Sequence, residues 1–263
     1  MLYTTEGCKL RAAARLMREA KKESTVSELQ RFNSEDGQSG ATYKAQIEAH
    51  IRRLLLRGDM QVGQIYSANS MAKELHVSNS PVREAMMSLV ERHLLELVRN
   101  RGFRVVELDS TDVWEIYQLR RLVEVEAVRV VAASRLDSVQ VKRLEELAAR
   151  TDELSKAVTR DDMFDYLEAD HHFHLYLVSL TGNRRWVEAV ERLRDQSRVN
   201  GLYLNLLDCG KVADTAGEHL EIVDAVVTRD VQRAMELMVA HLEYARTVTG
   251  EKVEDGAYRR PSV

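Results

Sequence analysis

Val77-Ser78-Asn79-Ser80-Pro81-Val82-Arg83-Glu84-Ala85-Met86, read together with Arg99-Asn100-Arg101-Gly102-Phe103 downstream, decides the fold of the first half of the chain. Across Ser67–Glu107 the sequence predicts a short helix over Ser70–Leu75, a turn at His76-Val77-Ser78-Asn79, a longer helix, and a strand pair. Ser80 suits the N-cap and Pro81 the first helical position. Val82, Ala85, Met86, Leu89 and Val90 then follow the i, i+3, i+4 spacing of a buried stripe. That leaves Ser80, Arg83, Glu84 and Met87 on the opposite face. Short helix, turn, amphipathic helix and hairpin make a winged helix-turn-helix, a geometry that lays one helix in a DNA major groove.

Upstream, Tyr43–Leu56 reads as a helix with Tyr43, Ile47, Ile51, Leu54 and Leu55 on one face, ended by Arg57-Gly58-Asp59. Residues 1–40 form an N-terminal extension with a basic helical stretch over Leu10–Lys22 and a polar, flexible linker at Asn33–Gly40. Downstream of Leu108-Asp109 the pattern turns wholly helical. Helices are expected at Asp112–Arg135, Ser138–Ala157, Asp161–Leu180, Arg185–Leu207, Lys211–Arg229 and Val231–Val248. Short breaks between long amphipathic helices predict an antiparallel bundle. The expected fold is therefore mainly α: a winged helix-turn-helix over 41–108, an all-α bundle over 109–250, and a polar tail at 251–263.

The totals agree with this outline. The chain has 263 residues, 44% hydrophobic, enough for two modest domains. Only two prolines interrupt it, which favours long helices. No apolar run approaches the about 20 residues of a membrane span, and Met1-Leu2-Tyr3-Thr4-Thr5 lacks a signal-peptide core. Cys8 and Cys209 form no disulfide framework, so a cytoplasmic location is expected. Net charge is −4, yet Ala41–Glu107 carries a mild basic surplus that can meet phosphates locally.

Within the winged segment, Arg83 is the candidate for base readout, because guanidinium pairs bidentately with guanine. Asn79, Ser80 and Pro81 lie at the helix entrance, near phosphates or bases. Arg99 and Arg101 flank the hairpin tip, where Gly102 permits a tight turn and close approach. One such arginine alone is most simply a solvated charge; the set in this context is not.

The helical half carries a second constellation. Asp170 and His174 are i, i+4 and share a helix face. His219 lies on a stripe with Ile222, Val223 and Val226; His241 lies with Ala234, Leu237, Met238 and Ala245. One carboxylate and three imidazoles aimed inward suit a divalent transition ion such as zinc, nickel or manganese, although core histidines are commonly structural. His171 and His172 fall off this face and read as rim or surface residues.

Val77–Met86, Leu94-Leu95 and Arg101-Gly102-Phe103-Arg104-Val105 together resemble the GntR family of bacterial transcription regulators. Asn79 stands where that family commonly has Arg, and Val62-Gly63 where it has Pro-Gly. Asp170-His171-His172-Phe173-His174, Thr181-Gly182-Asn183, Glu218-His219-Leu220-Glu221-Ile222-Val223-Asp224-Ala225 and Ala240-His241-Leu242 are similar to the FCD effector domain of its FadR subfamily, in the shorter six-helix form. The resemblance spans roughly Tyr43 to Val248. It implies a metal on Asp170, His174, His219 and His241. It also implies that Arg120, in Arg120-Arg121-Leu122-Val123-Glu124, holds an effector carboxylate; the plainer reading of Arg120 is a salt bridge to Glu124.

These readings predict a ligand-responsive regulator, a repressor by preference, that binds a double-stranded operator as a homodimer and senses a small organic acid. The rival is a metal-dependent hydrolase or lyase bundle with an added DNA-binding module. No Ser/His/Asp set, paired carboxylates or glycine-rich phosphate loop supports it. A third reading is a purely structural metal.

Overall fold

The computed structural model describes residues 43–156, 158, 159, 162–199, 207, 210 and 212–247. The N-terminal extension, the polar tail and both cysteines lie outside the described residues. In chain order the elements are α1 (Tyr43–Leu56), β1 (Ile65–Tyr66), α2 (Ala68–Glu74), α3 (Asn79–Glu91), β2 (Leu95–Val98), β3 (Gly102–Val105), α4 (Ser110–Ala133), α5 (Ser138–Ser155), α6 (Met163–Ser179), α7 (Arg184–Val199), α8 (Val212–Val227) and α9 (Val231–Thr247). The fold is mainly α, with a small sheet against the first three helices.

The winged half closes over its own core. Ile47, Ile51 and Leu55 of α1 meet Val82, Ala85, Met86 and Leu89 of α3, with Phe103 and Val105 of β3 beneath. The expected apolar stripe of α3 is thus its buried face, except that Val90 is only partly buried. The helix starts earlier than its sequence suggests. Ser78, not Ser80, is the N-cap, and Pro81 sits at the third helical position. Proline is tolerated there because the first four N–H groups of a helix have no partner inside it.

The wing is a three-stranded antiparallel sheet in the order β1-β3-β2. The outer strand β1 is two residues long, too short to show periodicity, so the sequence suggests only a strand pair. It pairs Ile65 with Arg104 and Tyr66 with Phe103. Gly102 has a more exacting role than expected. It pairs with Val98 at the start of β3, while Asn100 takes the left-handed turn position with φ 59°. At Gly102 φ is +131°, and a Cβ would overlap the Tyr66 carbonyl oxygen. Glycine is needed for strand closure as well as for the turn.

The bundle begins where the sequence turns helical. Asp109 caps α4 in a reciprocal box with Asp112, and Asp137 caps α5 with Gln140. Gly182 ends α6 with φ 72°, and the Asn183 side chain accepts from the N–H groups of Arg185 and Trp186 to start α7. The helix α4 packs on α9, α8 packs on α5, and α6 lies against both α5 and α7. Ala127, Val128, Val131, Leu144, Phe173, Leu177, Ile222, Val226, Met238 and Leu242 form the core. Among the described residues no helix is long and apolar enough to cross a membrane.

The two halves touch. Val199 at the end of α7 and Phe164 on α6 pack against the core of the winged half. Arg57 of α1 places its guanidinium 5.5 Å from the Phe164 ring centroid.

Candidate metal centre and nucleic-acid interface

The spacing of Asp170 and His174 on α6 does what helical geometry requires: both side chains project to the centre of the bundle. His219 arrives from α8 and His241 from α9. One ligand atom from each lies within 4.8 Å of every other, and all four residues are buried. His174 Nε2 is 3.1 Å from His241 Nε2, and His219 Nε2 is 3.3 Å from the same atom. Asp170 Oδ1 is 3.7 Å from His174 Nε2 and 3.5 Å from His219 Nε2. Donors bound to one ion at about 2.1 Å stand about 3.0 Å apart at right angles and about 3.4 Å apart in a tetrahedron. The histidine separations fall in that range, and Asp170 Oδ1 stands slightly beyond it at 3.5 and 3.7 Å.

The atoms behind the histidines fix their tautomers. His241 Nδ1 is 2.8 Å from Glu218 Oε2, and His174 Nδ1 is 2.6 Å from Glu124 Oε2. His219 Nδ1 is 2.9 Å from Thr151 Oγ1. The Thr151 hydroxyl donates its proton to the Ala148 carbonyl at 2.7 Å, so toward His219 it accepts. An acceptor behind each ring favours the tautomer with its proton on Nδ1, which turns the Nε2 lone pairs toward one point. Converging lone pairs repel unless a cation stands between them.

Electrostatics keep the His174 and His219 rings neutral. Burial, reinforced by the nearby Arg194 guanidinium, holds the His174 pKa down to about 4. Burial, then the neighbouring His241 and His174, holds His219 well below the ordinary range. Asp170 is also 4% exposed, and burial disfavours its charge; Arg194 and the histidines override this and hold its pKa well below the usual carboxylate range.

Arg194, on α7, was not foreseen. Its Nη2 donates to Asp170 Oδ2, leaving Oδ1 toward the histidines, and its Nη1 reaches Glu124 Oε2 at 3.4 Å. The sequence signal was faint, an Arg194/Arg198 pair at i, i+4 in a helix whose composition reads as solvent-facing. Glu124 is the other hub. It faces His174 and Arg194 and accepts from Arg120 Nε at 2.8 Å. Arg120 is 5% exposed and is joined to the quartet through Glu124, which matches the plainer salt-bridge reading. His171 departs from expectation. It is 3% exposed, with Nε2 3.3 Å from Arg52 Nη2 across the boundary between the halves. Its neighbour His172 is exposed, as expected.

On the winged half, Ser80, Arg83, Arg99 and Arg101 are exposed, while Asn79, Pro81 and Gly102 are half-buried. Asn79 Nδ2 donates to Asn69 Oδ1 at 2.6 Å, tying the entrance of α3 to α2. Ser80 Oγ donates to Glu84 Oε1 at 3.1 Å. The Arg83 guanidinium leans over the Phe103 ring, 5.9 Å from its centroid, so helix and wing share one face.

Comparison with known proteins decides the assignment. Residues 43–105 match the bacterial regulatory proteins of the gntR family, and residues 115–244 match the FCD domain. An uncharacterized HTH-type transcriptional regulator in an unstable DNA locus of Streptomyces ambofaciens is 30% identical over 208 residues, covering 78% of this chain and 84% of its own length. The chain belongs to the GntR family. It carries the family's helix-turn-helix and an FCD helical domain, and it is a DNA-binding transcription regulator, not an enzyme. The HTH-type transcriptional repressor GlaR of Escherichia coli (strain K12) is 27% identical over 195 residues, 72% of this chain and 87% of that protein. The fold of E. coli McbR/YncC matches with a TM-score of 0.69 at 18% identity, over 80% of this chain and 97% of that one. Among the described residues, six helices of this GntR protein lie between 110 and 247.

Proposed function

We propose that this GntR regulator is a metal-dependent sensor of a small organic acid that controls binding of its winged helix-turn-helix to operator DNA. The observation that carries the reading is the convergence of three bare Nε2 atoms and Asp170 Oδ1 on one buried point. Asp170, His174, His219 and His241 would hold a zinc, nickel or manganese ion. When bound, the ion supplies a Lewis-acidic position that an effector carboxylate can occupy. Arg120 and Arg194 put two guanidinium groups beside that position, both already turned to carboxylates, which is the chemistry an organic acid would exploit. A purely structural ion would need no such cationic surround.

Asn79, Ser80, Pro81 and Arg83 form the base- and phosphate-facing entrance of α3, and Arg99, Arg101 and Gly102 form the wing tip. The protein acts as a homodimer in the cytoplasm, which sets two recognition helices on a two-fold operator. Leu119 and Leu122, 50% and 70% exposed on α4, offer apolar surface to a second copy. Repression relieved by the acid is the sign we favour, in line with the similar transcriptional repressor GlaR. The test is fluorescence anisotropy on DNA upstream of its own coding sequence, with the zinc-loaded dimer and a panel of short carboxylic acids. One acid should release the DNA. Binding that no acid alters, or turnover of an acid, would sink the sensor reading.

A further inference from the structure

The contacts of α7 carry an inference about how the two halves communicate. Consecutive residues of that helix point to different places. Arg194 faces inward and holds Asp170 and Glu124. Asp195, on the next position and with no exposed side chain, faces α1 and takes Arg52 in a bidentate pair at 2.8 and 2.6 Å. Arg92, the residue that caps the C-terminus of α3, stands 3.5 Å from the same carboxylate and 2.9 Å from Glu191. Gln196 Nε2 then donates to the Arg92 carbonyl at 3.0 Å. One turn of α7 thus grips a metal-ligand candidate on one side and the end of the recognition helix on the other.

A second strand of contacts runs parallel. His171 follows Asp170 on α6 and meets Arg52, and Glu168 lies 3.7 Å from Arg52 and 3.0 Å from Arg198. Charge-assisted bonds of this length fail when a helix shifts by about an ångström. Asp195 also cannot shed its partners cheaply, because it is fully buried and losing Arg52 or Arg92 would leave a buried carboxylate poorly paired.

The geometry points to α7 as the coupling element of the switch, with Asp195 as its clamp: binding at the Asp170 site is felt by α3 through the Arg194-Asp195-Gln196 turn and its hold on Arg52 and Arg92. This rests on the proposed metal site. It assigns positioning roles to Asp195, Gln196, Arg52 and Arg92, none of which belongs to the quartet or to the DNA-facing set.

The experiment uses the full chain, zinc as the probe and hydrogen–deuterium exchange as the readout, with zinc affinity measured in parallel by chelator competition. In the native protein, zinc slows exchange in α6 and α8 and also in α3. In Asp195→Asn, zinc affinity and protection of α6 and α8 persist, and the effect on α3 is lost. Should Asp195→Asn fail to fold, the milder pair Arg92→Gln and Gln196→Ala tests the same hold and weakens the α3 response. If native protein binds zinc and α3 does not respond, or if α3 responds equally in all variants, the coupling is overturned while the metal site stands. If native protein binds no zinc, the metal reading falls and the coupling falls with it.

Discussion

Thr151 shows how a residue outside the quartet sets the chemistry within it. Its hydroxyl proton is spent on the Ala148 carbonyl, so its oxygen accepts from His219 and leaves Nε2 bare. Thr151→Val keeps the shape and removes the acceptor. Zinc affinity should then fall about 10- to 100-fold, as measured by chelator competition; an unchanged affinity would mean that His219 is not held as a ligand. At the DNA face, Arg83→Ala should cost about 1–3 kcal/mol of operator binding and relax discrimination at one base pair. Arg99→Ala should instead weaken binding to all sequences alike and flatten its salt dependence. Titrations of both variants on matched and mutated operators separate the two. At this scale the quartet was legible, since i, i+4 spacing and core stripes are local properties. The partners were not. Thr151 and Arg194 reach the site from helices outside the quartet, Glu218 crosses from α8 to His241 on α9, and no local pattern marks an acceptor that sits behind an imidazole.

Among the elements, the wing depends on one close approach. Tyr66 of β1 passes so near Gly102 that a side chain cannot be admitted, and φ at Gly102 lies where L residues are strained. Gly102→Ala should destabilise the winged half by about 1–3 kcal/mol. Its melting transition would drop, and DNA affinity would fall although no arginine is changed. A variant that melts and binds like the native protein would contradict the strand packing. The helix α7 shows the opposite lesson. Its composition reads as a solvated surface helix, yet Arg194, Asp195 and Arg198 are buried. Periodicity sorts residues by polarity, and it misplaces a helix whose buried side is ionic. The start of α3 makes a smaller point: Ser80-Pro81 looks like a capped first turn, but Ser78 offers the extended backbone that a cap requires.

For the whole molecule, the buried quartet ties stability to pH and to metal. The unfolded chain takes up a proton on His174 near its ordinary value of 6.5, whereas the folded chain resists until about 4. Between those values the unfolded state holds more protons, so metal-free protein should lose stability as pH falls from 6.5 toward 4. Asp170 and Glu124, both held low when folded, extend the loss further into acid. Zinc should raise the melting temperature at pH 7 and lose that effect across the same window as protons displace it. A melting temperature flat across that range in chelated protein would contradict the neutral, buried histidines.

What the sequence determined by itself was the short-period pattern of its apolar helices. The stripe of α3, the break at Thr181-Gly182-Asn183 and the i, i+4 pair of Asp170 and His174 are all written within a few residues, because helix geometry repeats every 3.6. What only the tertiary structure decided was which distant groups face each other. His171 leaves the rim for Arg52, Glu124 meets His174 and Arg194, and Asp195 joins the bundle to α1 and α3. Those pairings are set by how whole helices pack, and a charge finds its partner across more than a hundred residues only after the backbone has brought the two together.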